Sequence, residues 1–481
     1  MAARIFALVT LALAIAACSR PAPPSAPFVP SHDPNIAIFW SDRGYPWKQF
    51  RLGGGLNAIV ADAKLPAELQ WRTETSGGYS SSPSIASETV YFANNGRALY
   101  ALDAATGARV WTSKAPSDMM SEPIYANGKI YAGVGDSDAS IWAPPFYKLI
   151  GSGVNDLRAL DARDGKVLWK VTLPGSGMPT PALVGSAIVH ADGAGMVYAF
   201  DADTGAYLWR TYLGSDVDMA QTLDGGDGRI YTAGAYPNAA FALDAHTGAI
   251  VWHHPFGVYD GALSDCPLAS DAKALYGMYV RQLSPMKVPY APFGRPAEQH
   301  VYALDKRAGT LLWDRTLPHV NGIIPTYNES AMPLLYAGTL YDGSSIAPIV
   351  TALDPHTGTL KWQLHVSGPV KAGMVARDGV LYFGDLAGTL WAVDARTGLS
   401  IGSIKTDTPF NVGSPVILND SLLIGSQNGV ALAIPLQSIR RSQPIDGITS
   451  ARASLRGPIV IALATLVLVG LAVFWVRARR A

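Results

Sequence analysis

The stretch Ala199-Phe200-Asp201-Ala202-Asp203-Thr204-Gly205-Ala206-Tyr207-Leu208-Trp209 decides how the whole chain is read. Asp201 opens a tight turn by accepting backbone N–H bonds, and Gly205 takes the left-handed position that ends it. Ala199 is small enough to let neighbouring sheets approach, and Trp209 fills the wedge between them. The pattern occurs seven times: Asp201 with Gly205 is joined by Asp103 with Gly107, Asp161 with Gly165, Asp244 with Gly248, Asp305 with Gly309, Asp354 with Gly358 and Asp394 with Gly398. Six copies carry a tryptophan eight residues after the aspartate, at Trp111, Trp169, Trp209, Trp252, Trp313 and Trp362; the seventh has Gly402 there. A residue type repeated for its turn geometry is structural, so none of these aspartates is a catalytic candidate.

Working outward, each copy reads as four antiparallel strands, A to D. In the first, Ser82 to Ile85 is A, Thr89 to Phe92 is B, Ala98 to Leu102 is C and Arg109 to Trp111 is D, joined by turns such as Asn95-Gly96. Spacings near 40 residues with this content indicate propeller blades. Leu69-Gln70-Trp71 reads as an orphan D strand, while Ser414 to Ile424 and Gly429 to Ile434 supply inner strands without one. Joining them closes the ring and removes both sheet edges. The expected fold is all-β: an eight-bladed β-propeller of four-stranded antiparallel blades over residues 65–436. The Asp-Gly-Trp repeat resembles that of the PQQ-like repeat propellers, which include both scaffolds of the BamB type and pyrroloquinoline-quinone (PQQ) dehydrogenases.

The two ends read differently. Residues 1–18 have the form of an export signal, with Arg4, an apolar run and a lipobox-like Ile15-Ala16-Ala17-Cys18. Cys18 is the expected lipidation site, and residues 19–64 form a tether and N-terminal segment. Residues 437–457 are a linker. From Pro458 to Val476 the chain has 19 uncharged, mostly apolar residues, about 28 Å as a helix, which matches a bilayer's hydrocarbon core. Residues 477–481, with Arg477, Arg479 and Arg480, suit a cytoplasmic tail. The expected location is the bacterial cell envelope, with an extracytoplasmic propeller anchored to the inner membrane. The formal net charge is +0 and there is no basic stripe, which argues against nucleic acid as a partner. Beyond Cys18, Cys266 is the one remaining cysteine, so no internal disulfide can form.

The repeats are unevenly spaced. Asp103 to Asp161 is 58 residues, Asp244 to Asp305 is 61 and Asp305 to Asp354 is 49, against 40 to 43 elsewhere. The excess is assigned to residues 135–155, 278–299 and 341–347, all between strands B and C. Such loops share a face with the D–A connections, so that face is where protein partners are expected, the alternative being that the loops cap or dimerise the propeller. In the channel, the residues that precede the A strands are Ser82, Glu122, Thr180, Gln221, Cys266, Ile324, Met374 and Ser414. Glu122, Gln221 and Lys371 are the channel candidates for cofactor binding. Met120, Met178, Met219, Met374 and Cys266 form a weak soft-ligand set able to hold Cu(I) if they face the axis; the alternative is that they fill gaps between blades.

Three functions follow from the resemblance. A non-catalytic binding scaffold of the BamB type is preferred, although the C-terminal apolar run departs from that type. A PQQ dehydrogenase would need PQQ and Ca²⁺, and the adjacent-cysteine pair of many such enzymes is missing here. A cofactor-free hydrolase of the tetrathionate hydrolase type would draw on Asp260, Asp265 and Cys266; a thiol beside a carboxylate is a poor nucleophile.

Overall fold

The computed structural model describes residues 58–137, 140–143, 146–217, 219, 223–224, 226–235, 237–256, 268–282, 295–324 and 332–441. The signal, Cys18, most of the linker and the apolar run 458–476 lie outside these. Among the described residues no helix is long and apolar enough to cross a membrane.

Among the described residues eight sheets are arranged as blades, antiparallel but for one strand of the eighth, and a two-stranded hairpin stands beside them. Blade 1 runs Ser84–Ala86, Thr89–Asn94, Ala98–Asp103 and Arg109–Lys114, close to the strands read from sequence. Blade 8 is closed as expected. Its A, B and C strands, Val416–Leu418, Ser421–Gly425 and Val430–Pro435, come from the end of the repeat region, and Trp71–Glu74 supplies its D strand. The sheet starts earlier than residue 65: Ile59–Val60 pairs in parallel with the axial edge of Val416–Leu418. Blade 8 therefore has five strands, the extra one on the channel side.

The repeated turn sets the seams between blades. In blade 3, Asp201 Oδ1 accepts the Thr204 amide and hydroxyl at 2.8 and 2.7 Å. The Gly205 amide donates back to the Asp201 carbonyl at 2.8 Å, with Gly205 at φ +71°. Trp169 of the preceding blade lies on that glycine, and a Cβ built there would sit 2.7 Å from the indole ring. The Trp169 Nε1 donates to the Ala202 carbonyl at 3.1 Å. Six more indoles repeat this bond, from Trp71 to Ala104 O, Trp111 to Ala162 O, Trp209 to Ala245 O, Trp252 to Lys306 O, Trp313 to Pro355 O and Trp362 to Ala395 O. Glycine is thus required twice over, for its backbone angle and for the close approach of a ring.

The eighth seam is filled in another way. Gly402 takes the tryptophan's place on the D strand of blade 7, opposite Ala392. The helix Leu436–Arg441 follows the last C strand and packs on that D strand. Its buried Leu436 and Ile439 join the apolar cluster with Tyr382, Ala392 and Leu422.

Two blades depart from the pattern. In blade 2, residues 135–155 lie between strands B and C as expected and include a hairpin, Ser140–Ala143 with Phe146–Leu149. In blade 5 the strands themselves are lengthened, to Ala274–Gln282, Arg295–Asp305 and Leu311–Ile324. The third excess is not at residues 341–347. The B and C strands of blade 6, Thr339–Gly343 and Ile349–Leu353, are joined by an ordinary turn. The extra residues belong to the long D strand of blade 5 and its connection to Leu334–Tyr336. Ile324 accordingly ends a D strand and does not precede an A strand.

Candidate functional site

The inner ends of the A strands form a ring. The Glu122 amide donates to Thr180 Oγ1 at 3.0 Å, Gly373 to Ser414 Oγ at 2.7 Å and Ser414 to Ser82 Oγ at 3.0 Å. Each bond runs from one blade to the next, in the same sense around the ring. The hydroxyls before the A strands are therefore tangential laces, which satisfy amides that have no strand partner. The blade-6 member of the set is Met332, not Ile324; its sulfur receives the Ser414 hydroxyl at 3.1 Å. The signal was present in the sequence as Met332-Pro333, which repeats Ser82-Pro83, Glu122-Pro123 and Thr180-Pro181.

The methionines divide into two groups. Met120 and Met178 are buried together with Leu149 of the blade-2 insertion, and Met219 packs against them. Leu149 is stitched to blade 3, donating to the Gly193 carbonyl and accepting from the Ser176 amide. Met374 lies elsewhere, fully buried with Val370 and Phe383 between blades 6 and 7. Glu122 and Lys371 are buried at the ring, but in the connections that lead into blades 2 and 7, well apart around it. Gln221, Asp260, Asp265 and Cys266 lie outside the described residues, so their geometry carries no argument here.

Acidic groups that sequence reasoning missed tie the B–C turns to the D–A connections. Asp385 accepts the Gly368, Thr389 and Trp391 N–H groups at 3.1, 2.9 and 2.9 Å. Asp192 accepts from Gly175, Ala194, Met196 and Tyr198. Burial raises Asp192 to about 6, and those four donors only partly counter it. Asp136 accepts the Ser117 hydroxyl and the Ser152 amide at 2.7 Å each. Like the seven turn aspartates, these are structural. Their signal, an acidic residue just after strand B, is weaker because Asn94, Ser344 and Ser426 serve in other blades.

A denser polar cluster sits where blade 5 lengthens. His300 Nδ1 is 2.9 Å from Asp314 Oδ1, and its Nε2 is 3.0 Å from Glu298 Oε1. Tyr279 donates to Asp314 Oδ2 at 2.7 Å and stacks on the imidazole with centroids 4.5 Å apart. Burial alone would lower the His300 pKa, but together Asp314 and Glu298 outweigh it and hold the ring above its ordinary value. Both imidazole nitrogens are engaged by carboxylates, so this His braces three strands and has no nitrogen left for substrate. A groove of about 480 Å³ between blades 6 and 7 is lined by Tyr336, Lys361, Trp362 and Arg396.

Seven of the eight tryptophans whose side chains are described form the outer seams. The eighth, Trp391, is bonded to Asp385 within blade 7. No described group of three or more His, Cys, Asp or Glu side chains is placed to hold a metal ion.

Fold, seams and ring define an eight-bladed propeller of PQQ-like repeats. The sequence pattern of the family described as outer membrane protein assembly factor BamB matches residues 58–144, 153–280 and 297–434, and the chain belongs to that family. Its relatives include enzymes and non-enzymes. It is 27% identical over 372 residues to a tetrathionate hydrolase of Acidithiobacillus ferrooxidans, covering 74% of this chain and 72% of the relative. It is 22% identical over 379 residues to the outer membrane protein assembly factor BamB of Shewanella oneidensis, covering 77% and 89%. Among solved structures, BamB from Moraxella catarrhalis superposes with a TM-score of 0.58 at 18% identity, over 76% of this chain and 98% of that one. A quinohemoprotein alcohol dehydrogenase from Comamonas testosteroni gives 0.60 at 14%, over 81% and 80%. At these identities the structural likeness concerns the fold alone.

Proposed function

We propose that the chain is a non-catalytic binding scaffold of the cell envelope, tethered to the membrane through residues 458–476 and through a lipidated Cys18, and engaging protein partners on the face that carries the insertions. One observation carries the reading. Three hydroxyls of the inner ring, Thr180, Ser414 and Ser82, are spent on holding neighbouring blades together, while blades 2 and 5 are elaborated on a single face. The BamB relatives, named as outer membrane protein assembly factors, agree with a scaffold.

A second reading, a hydrolase acting on tetrathionate, is favoured by the 27% identity to the Acidithiobacillus enzyme. It would draw on Asp260, Asp265 and Cys266. Assays of the purified full-length chain separate the readings. The scaffold releases no thiosulfate from tetrathionate and reduces no dye with alcohols after addition of PQQ and Ca²⁺. Turnover in either assay overturns it. Loss of thiosulfate release in Cys266→Ala would then assign the thiol.

A further inference from the structure

A fully buried acid stands in the seam between blades 5 and 6. Asp342 is the last residue but one of the blade-6 B strand, Thr339–Gly343, and has no exposed surface. In the register of the repeat it lies opposite Thr351, as Phe92 lies opposite Tyr100, Phe383 opposite Trp391 and Ile424 opposite Leu432. Blades 1, 7 and 8 thus fill this position with a large apolar side chain, and nothing in the turn chemistry of the repeat calls for a carboxyl there.

Gln299 of blade 5 meets this acid across the seam. Itself fully buried, it donates from Nε2 to Asp342 Oδ2 at 2.7 Å and to the Gly343 carbonyl at 3.0 Å. Both amide hydrogens are then used. The remaining oxygens of the pair, Gln299 Oε1 and Asp342 Oδ1, are buried without a hydrogen-bond partner. While the carboxyl is ionised both are acceptors, and neither can serve the other. The surroundings supply no donor to them. The Met278 sulfur is 3.9 Å from Gln299 Nε2, and the Thr351 hydroxyl is turned to the backbone carbonyl of Asp342. Titratable neighbours along the two strands are engaged elsewhere: Tyr341 donates to the Ala395 carbonyl, and His300 is held by Asp314 and Glu298. Val370, followed by Lys371, packs on Gly343 from the connection into blade 7. Burial drives the Asp342 pKa well above the ordinary carboxylate range, and the Gln299 amide is the only group among the described residues that lowers it.

We infer that Asp342 is un-ionised at neutral pH, and that its carboxyl proton, carried on Oδ1, is donated to Gln299 Oε1. Acid and amide then close a ring of two hydrogen bonds, and one proton satisfies both stranded oxygens. The pair is a proton-dependent clasp between blades 5 and 6. It grips blade 5 where that blade begins to lengthen, because the ladder between Arg295–Asp305 and Leu311–Ile324 shifts register between Glu298 and His300, at Gln299. Loss of the proton leaves a bare carboxylate in a dry seam, which a lone amide cannot balance. The sign follows from the raised folded value. The clasp contributes fully below about pH 4, the unfolded value, and is lost as the pH rises through the folded one.

The test uses the full-length chain in detergent. The infrared spectrum of the parent minus that of Asp342→Asn at pH 7 should show the C=O stretch of an un-ionised carboxyl; carboxylate bands in its place overturn the proposal. Asp342→Leu, apolar like its counterparts in blades 1, 7 and 8, serves the same subtraction if the asparagine chain does not fold. In Gln299→Met the stretch should move to higher frequency, because the proton has lost its acceptor. A band that does not move overturns the bond to Gln299. Hydrogen exchange of the Thr339–Gly343 amides is then compared between the parent and the folded Asp342 variant at each pH, so that the intrinsic rate cancels. Exchange in the parent relative to the variant should rise at least about tenfold from pH 4 to pH 6. A ratio that stays constant shows that the seam does not depend on the proton, and the clasp fails.

Discussion

Seven seams of this propeller and the eighth fill the same kind of gap with different material. In the seven, one indole lies on a glycine of the next blade and donates to a carbonyl beside it. In the eighth there is no C–D turn to receive an indole, because the D strand of blade 8 comes from the other end of the chain. Gly402 makes room, and Leu436 and Ile439 of a short helix take the volume instead. A ring of sheets demands filled seams, and close packing can be met by any group of the right volume that also leaves no polar atom stranded.

The largest effect is expected where two demands meet in one residue. Gly248 has φ +72°, and an added Cβ would lie 2.3 Å from the Trp209 ring. Gly128 has φ +77° but open space around the added atom. Gly128→Ala should cost about 1–2 kcal/mol, the left-handed penalty alone. Gly248→Ala should cost more, on the order of the about 3–5 kcal/mol of removing a buried indole, as in Trp209→Ala. Equal shifts in denaturant midpoint would break the account of the indole seams. The eighth seam is tested by Ile439→Ala, a fully buried side chain whose truncation should cost about 2–4 kcal/mol. A shift below about 1 kcal/mol would show that the helix is not the filler.

Smaller effects follow from the buried polar groups. Asp192, raised to about 6 by burial, has a higher pKa folded than unfolded. Its contribution is therefore complete below about pH 4 and is lost as the pH rises through 6. The Tm of Asp192→Asn relative to the parent should rise between pH 4 and pH 7; a constant difference would contradict the shift. His300 is likewise raised, so its brace is complete below about pH 6.5 and fades as the pH climbs past its folded value. Protection of blade 5 from proteolysis should fall between pH 6 and pH 9 in the parent and stay flat in His300→Gln. Thr180→Val removes one lace and strands the Glu122 amide, for about 1–3 kcal/mol. Least of all, Arg163→Ala removes an exposed partner of Asp161 and should leave the Tm unchanged.

Much of the fold was legible because the repeat uses residues whose geometry is local. An aspartate that caps its own turn, a glycine four residues on and a tryptophan eight residues on can be counted along one strand. The closing strand at Trp71 was legible for the same reason. The lengthened blade 5 was misread at its far end because strand length depends on partners: Leu311–Ile324 stays extended by pairing with Arg295–Asp305, a contact between segments that carry no shared motif. The site was less legible still. Ser82, Thr180 and Ser414 were read as possible channel residues, and only their neighbours in the preceding blade turn them into laces. Met374 lies directly before an A strand and Met120 four residues before one, and they end in separate apolar clusters.

What the sequence determined by itself is the blade: turn chemistry and strand alternation arise from interactions within about 40 residues. What only the tertiary structure decided is everything between blades. Which hydroxyl meets which amide and what fills the seam without a tryptophan depend on groups far apart in the chain. Their separation is set by closure of the ring, which no local propensity encodes.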